Sequence, residues 1–147
     1  MTSAETGVLL PAEAERHLRE DEVAWLVTVT AKGMGYPTPV WFAFDGRHIV
    51  VYAEPTSRKV ANVARQPMVT LHFNSDPAGS DIVVITGLVS IEPDVDPNAD
   101  EAYATKYRPP MDRLGMTAVD LRLSSVRLRI VPRSVWLGDA SAASDPR

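Results

Sequence analysis

The 147-residue sequence contains no cysteine. That absence excludes a disulfide framework, a thiolate metal site and a thiol nucleophile together. Lysine is scarce, with Lys32, Lys59 and Lys106 standing against twelve arginines. Net positive charge is absent too: the formal charge is −4, which counts against a protein that coats nucleic acid. Apolar runs fall well short of the ~18 residues that a membrane span needs. The stretch from Met1 to Pro11 lacks a basic start followed by an apolar run, so no signal peptide is visible and the expected location is cytoplasmic. There is no G-x-G-x-x-G, no Walker-type loop and no G-x-S-x-G elbow. His17, His48 and His72 lack the H-E-x-x-H or H-x-H spacing of a zinc centre, so no metal is expected.

What is present reads as one globular domain, with 45% hydrophobic and 23% charged residues. Residues 11–18 suit a short helix, with Pro11 at its first turn and Glu13 and Glu15 at the favourable end of the dipole. Residues 23–30 alternate as a half-buried strand, with Val27 and Val29 set against Thr28 and Thr30. A second strand runs over 38–44, with Val40, Phe42 and Phe44 on one face and Trp41 and Ala43 on the other. Asp45-Gly46 turns it into a third strand over 48–53. Thr56 or Ser57 would cap a helix to Arg65 that turns Val60, Val63 and Ala64 to the core. Strands follow over 68–73 and 82–91, with Gly87 as a bend or bulge. A helix over 98–107 is expected to end at Pro109-Pro110, and 111–122 contains at most a short helix. The last strand starts at Val126 and extends towards Trp136. Residues 1–10 and 138–147 are expected to be flexible, flanking a domain over 11–137. Consecutive hairpins without βαβ alternation imply an antiparallel sheet closed as a barrel, with helices over its ends.

One stretch could bind an anion. A strand ending at Tyr52-Ala53 leads into Thr56-Ser57-Arg58-Lys59 at a helix start. Free backbone N–H groups, two hydroxyls and two positive charges would meet there and cradle a phosphate. A merely capped helix with solvated basic residues is the simpler reading of this segment alone. Arg127, Arg129 and Arg133 form a basic stripe that either meets a polyanion or pairs with acids elsewhere in the chain.

The order of motifs resembles the pyridoxamine 5′-phosphate oxidase-like family of FMN-binding split β-barrels. It is most similar to the short actinobacterial branch that uses the deazaflavin coenzyme F-420. The resemblance is carried by Trp25-Leu-Val-Thr-Val29, by Gly35-Tyr-Pro-Thr-Pro-Val-Trp-Phe42, and by Asp45-Gly46 leading to Ile49-Val-Val-Tyr-Ala53. Ser57-Arg-Lys59 with Asn62, Pro67 before a strand, and Thr86-Gly87 add to it. It implies a six-stranded antiparallel split β-barrel with flanking helices, working as a homodimer with cofactor sites between the subunits. By position, Thr56, Ser57, Arg58 and Lys59 match the residues that hold the cofactor phosphate. Thr38, Val40 and Trp41 match the strand along the ring, and Tyr52 and Ala53 match its neighbour. Asn62 is a further matched contact, and Trp136 would approach the ring from the far end of the chain or from the other subunit.

The resemblance has a gap. The Arg and His residues with which true pyridoxamine phosphate oxidases grip their substrate have no counterpart after Trp136. The implied activity is therefore an F-420-dependent reductase that passes hydride to an electron-poor small molecule. The alternatives are an FMN-dependent oxidoreductase and a non-catalytic flavin or deazaflavin binder. No catalytic residue is assigned.

Overall fold

A computed structural model describes residues 7–138. Among them are four α-helices, one 3-10 turn and seven strands in a single antiparallel sheet. The helices are α1 (Ala12–Glu20), α2 (Arg58–Arg65), α3 (Glu101–Leu114) and α4 (Ala118–Arg122). The strands are β1 (Ala24–Val29), β2 (Gly35–Val40), β3 (Ala43–Phe44), β4 (Ile49–Ala53), β5 (Met68–His72), β6 (Ile82–Glu92) and β7 (Val126–Gly138). Expectations about residues 1–6 and 139–147 lie outside the described part. Just inside it, the Val8 N–H donates to Pro132 O at 2.9 Å and Leu10 packs against the core.

The sheet order β2-β1-β5-β6-β7-β4-β3 explains the split barrel. Its two edge strands are consecutive in sequence. Only Trp41 and Phe42 separate β2 from β3, and three Cα steps span at most about 11 Å. The sheet must therefore curl until its edges nearly meet. Pro37 and Pro39 lie in β2, where the edge position spares the ladder their missing N–H groups. The curled sheet is the expected architecture with seven strands rather than six. The run over 38–44 is broken at Trp41-Phe42 because the chain there leaves one edge of the sheet for the other.

The faces follow the predicted alternation around this seam. Val40, Phe42 and Phe44 belong to the core inside the sheet. Trp41 and Ala43 belong to a second cluster under α3, with Tyr52, Tyr103, Tyr107 and Met111. In β1 the sense is reversed from expectation. Ala24, Leu26 and Thr28 point inward, and Val27 and Val29 are half-exposed. Thr28 is tolerated inside because the Asn62 amide donates to its hydroxyl at 3.0 Å. On α2, Asn62 and Val63 are buried, but Ala64 is exposed instead of facing the core.

Helix α3 runs through Pro109-Pro110 instead of ending there. Proline lacks an N–H but its own φ is helical. Tyr107, Pro110 and Met111 share one buried face, and that packing holds the helix together across the two missing bonds. Gly115, at φ +69°, ends it in the left-handed conformation. The Asp45-Gly46 hairpin forms as expected, with Asp45 Oδ1 accepting from the N–H groups of Arg47 at 2.8 Å and His48 at 2.6 Å. The β6–β7 register slips between Thr86 and Gly87. A Cβ on Gly87 would lie 2.6 Å from Ile130 Cγ2 and 2.9 Å from Val131 O, so only glycine fits this bulge.

Candidate functional site

Helix α2 is built against its own dipole. The first turn of α1 carries Glu13 and Glu15, as the positive end of a helix favours. The first turn of α2 carries no acid and begins with Arg58 and Lys59. Each misplaced charge costs about 0.3–1 kcal/mol, an arrangement that an anion at this end would reverse. Ser57 occupies the N-cap position, yet its side chain makes no capping bond. Its buried Oγ has no hydrogen-bond partner, and neither has the buried Oγ1 of Thr38. Buried hydroxyls are normally satisfied, so both stand out as unmet polar atoms. Lys59 is half-buried and has no ion-pair partner among the described residues. Burial pushes its ammonium down from the ordinary lysine range, with Glu54 opposing.

Lys59 opens onto a groove of about 270 Å³ that also contains Val40, Trp41, Tyr52 and Tyr103. Pro39, Met116, Leu121 and Ser124 complete its lining. The walls are aromatic and apolar, with one cationic corner, which suits a flat ring bearing an anionic arm. The Tyr52 hydroxyl donates to Asp100 Oδ2 at 2.7 Å. Burial, reinforced by that carboxylate, pushes Tyr52 up to about 12, so it stays a neutral phenol.

The structure thus brings Val40, Trp41, Tyr52 and Lys59 into one groove. Thr38 lies on β2 two residues from Val40, on the same face. The others lie differently. Ala53 points into the core. Thr56 is exposed. The Arg58 guanidinium stands 5.4 Å over the Tyr36 ring. The Asn62 amide is engaged with Thr28 and accepts from Arg65 at 3.0 Å. Trp136 sits opposite Val84, nine residues along β7 from the Arg127 that pairs with Tyr52, or about 30 Å of strand. Within one chain it does not reach the groove. It joins Trp25, His72 and Val84 in a row across the outer sheet face.

Sequence reading missed the seam. Tyr107 and Lys106 of α3 complete the break between β2 and β3. Tyr107 Oη accepts from Phe42 N at 2.8 Å and lies within hydrogen-bond reach of Glu22 O at 2.8 Å and Phe42 O at 3.0 Å. Lys106 Nζ donates to Phe42 O at 3.1 Å and stands 3.6 Å over the Phe42 ring. The Trp41 ring stacks on Tyr107 at 4.5 Å. The helix expected over 98–107 already contains Tyr107 and Lys106, but no local signal names their partner Phe42, 65 and 64 positions away. The arginine stripe takes its acid-paired reading in part: Arg127 and Arg129 both bond Glu92. Among the described residues no group of three metal-ligating side chains occurs, and no helix is long and apolar enough to cross a membrane.

Comparison with known proteins gives the same outline. The family described as pyridoxamine 5′-phosphate oxidase matches residues 10–137. No curated protein matches the sequence. Among solved structures, an F420 reductase is 23% identical over 86% of this chain and 98% of its own, with a TM-score of 0.65. An FAD-binding protein from Mesorhizobium loti is 19% identical over 86% and 90%, with a TM-score of 0.63. A haem storage protein from Vibrio cholerae is 17% identical over 89% and 96%, with a TM-score of 0.61. At such identities these likenesses establish the fold. Three different cargoes on one fold mean that the groove, not the fold, must decide the ligand.

Proposed function

The chain belongs to the pyridoxamine 5′-phosphate oxidase family, and from that premise we propose that its groove binds the deazaflavin F-420 and serves a reductase. The observation that carries this is the start of α2, where the Ser57 hydroxyl has no partner and Lys59 is desolvated without an ion pair among the described residues, together with the unpartnered Thr38 hydroxyl on β2. In this reading Ser57 and Lys59 hold the cofactor phosphate. Thr38, Val40, Trp41 and Tyr52 lie along the ring, and Tyr103, Met116 and Leu121 exclude water. Arg58 and Arg65 offer positive charge to an anionic tail, which favours F-420 over FMN. When bound and reduced, F-420 supplies hydride equivalents to an electron-poor small molecule. The chain's part is to orient the ring, keep water out and leave Tyr52 uncharged beside it.

The working unit in this reading is a cytoplasmic homodimer. Its support is the row of half-buried apolar side chains on the outer sheet face, including Trp25, Val84 and Trp136, which a second copy would cover. The partner copy would then bring its own Trp136 towards the groove. Sedimentation of the purified chain tests the dimer, and a monomer at all concentrations refutes it.

The cofactor is tested by calorimetric titration with F-420 and with FMN. F-420 is expected to bind below about 100 μM, or tighter than roughly −5.5 kcal/mol. Failure of both to bind refutes the reading, and tight FMN alone moves it to an FMN enzyme. Reduced F-420 that binds but stays reduced before a panel of quinones and enones marks a non-catalytic binder.

A further inference from the structure

Met116 and Leu121 line the groove beside Lys59. The same two residues line a cleft of about 310 Å³ between α3 and α4, so they form the boundary between the two spaces. Ala104 and Met111 of α3 and Ala118 of α4 make the cleft largely apolar. Arg108 and Asp112 stand exposed in its lining, and their charges cancel. The groove alone, at about 270 Å³, falls short of the roughly 300–1,000 Å³ of ordinary ligand pockets. A ring lying along Val40, Trp41 and Tyr52 leaves little of it for a second molecule.

The two boundary residues are held differently. Leu121 is 4% exposed and belongs to the cluster with Tyr103, Tyr107 and Met111. Its helix starts in a capping box, with Thr117 and Asp120 each bonding the other's backbone N–H. Met116 is only partly buried. Its backbone is fixed, since its N–H donates to Met111 O at 2.9 Å just after the left-handed Gly115. Its side chain borders open space on both sides. Methionine is unbranched and changes shape at low cost. The movable part of the boundary is therefore the Met116 side chain.

We propose that Met116 is a side-chain gate between groove and cleft, and that the cleft takes the apolar tail of the molecule that accepts hydride in the groove. This rests on the reading of the groove given above. It adds the class of acceptor: elongated, with an uncharged apolar body beyond its electron-poor end.

The test is calorimetry on the full chain with phenyl phosphate and 4-biphenylyl phosphate, whose phosphate would occupy the Ser57–Lys59 corner. The second ring adds only apolar length. The biphenylyl compound is expected to bind about tenfold or more tighter, the factor that burying one more ring supplies. Met116→Ile keeps an apolar side chain of similar size but stiffens it by β-branching, and should remove that preference. Met116→Ala should retain it. Ala104→Phe fills the cleft without touching the groove, and should remove the preference while leaving phenyl phosphate affinity unchanged. Ala118→Phe, at an exposed position of the same cleft, serves if Ala104→Phe does not fold. Equal binding of the two probes, or a preference that survives Met116→Ile or the filled cleft, overturns the gate while phenyl phosphate binding that depends on Lys59 keeps the groove reading intact. Failure of both probes to bind, or phenyl phosphate affinity unchanged in Lys59→Ala, overturns the groove reading and the gate with it.

Discussion

Replacing Tyr107 with phenylalanine removes one oxygen from the seam of the barrel. That oxygen accepts the Phe42 N–H at 2.8 Å, at the point where the chain passes between the sheet edges and no strand partner is available. Tyr107 is fully buried, so water cannot replace the lost acceptor. The Phe42 carbonyl keeps the Lys106 ammonium at 3.1 Å, but the N–H is left with nothing. An orphaned buried donor costs about 1–3 kcal/mol. The stack on Trp41 and the contact with Tyr103 survive, since phenylalanine keeps the ring, and no cavity term is added. For a domain of this size the expected fall in Tm is about 3–12 °C. Urea denaturation followed by circular dichroism should show a lower midpoint with an unchanged slope. Native-state hydrogen exchange should show faster exchange at Phe42. A loss below about 0.5 kcal/mol, the ordinary scale of a neutral surface change, together with unaltered protection of Phe42, would refute the view that Tyr107 stands in for a strand partner.

Four further outcomes are expected. Lys59→Ala should weaken F-420 binding by about 1.5–3 kcal/mol in calorimetry while leaving the melting temperature nearly unchanged. Because phosphate prefers the ammonium form and burial lowers the Lys59 pKa, wild-type affinity should fall as pH rises through that pKa, a fall absent from Lys59→Ala. For His17, burial alone would lower the pKa, but the Asp21 and Asp81 carboxylates outweigh it and raise the pKa. A raised folded-state pKa stabilises the fold fully below about pH 6.5, the ordinary histidine value, and that stability is lost as pH rises through the folded value. The difference in Tm between wild type and His17→Asn should therefore shrink from pH 5.5 to pH 8.5. Gly87→Ala should destabilise by about 1–3 kcal/mol, because the new Cβ would meet the Val131 backbone at 2.9 Å; an unchanged urea midpoint would contradict the bulge geometry. Burial lowers Lys106 to about 8, against the opposing pull of Asp21 and Glu22, and NMR of reductively methylated protein should find one lysine titrating there.

Much of the fold was legible because its signals are local. Asp45-Gly46 names its hairpin, Gly87 its bulge, and the alternation of Val40, Trp41, Phe42 and Ala43 its two faces. What failed was set by distant partners. Thr28 reads as an outward residue until Asn62, 34 positions away, supplies its hydrogen bond. Proline reads as a helix breaker until the burial of Pro110 and Met111 outweighs two missing bonds. The site was half legible for a related reason. Arg58 and Lys59 stand out in the sequence by being wrong for a helix start, whereas Ser57 reads as an ordinary N-cap and its unpartnered hydroxyl is seen only in the structure. Arg129 was visible only as part of a stripe, and nothing in its neighbours Leu128 and Ile130 signals its pairing with Glu92, 37 positions away.

The position of the groove follows from the topology. A sheet whose edges are consecutive strands must leave a seam, and a seam exposes backbone groups and gaps that a continuous ladder would fill. Here Phe42 plugs it from within and α3 covers it from without, through Tyr107 and Lys106. Trp41, turned outward at the same step, becomes one wall of the groove, and β4 beyond the seam supplies Tyr52 as another. The helix that starts immediately after β4 brings Lys59 to the same place. The seam thus brings Trp41, Tyr52 and Lys59 to one groove. Changes at Tyr107 that loosen the seam should also disturb the groove, so the Tyr107→Phe variant is expected to lose some F-420 affinity without touching any of its proposed contacts. Full affinity in a measurably destabilised Tyr107→Phe protein would show that the seam and the groove are mechanically separate.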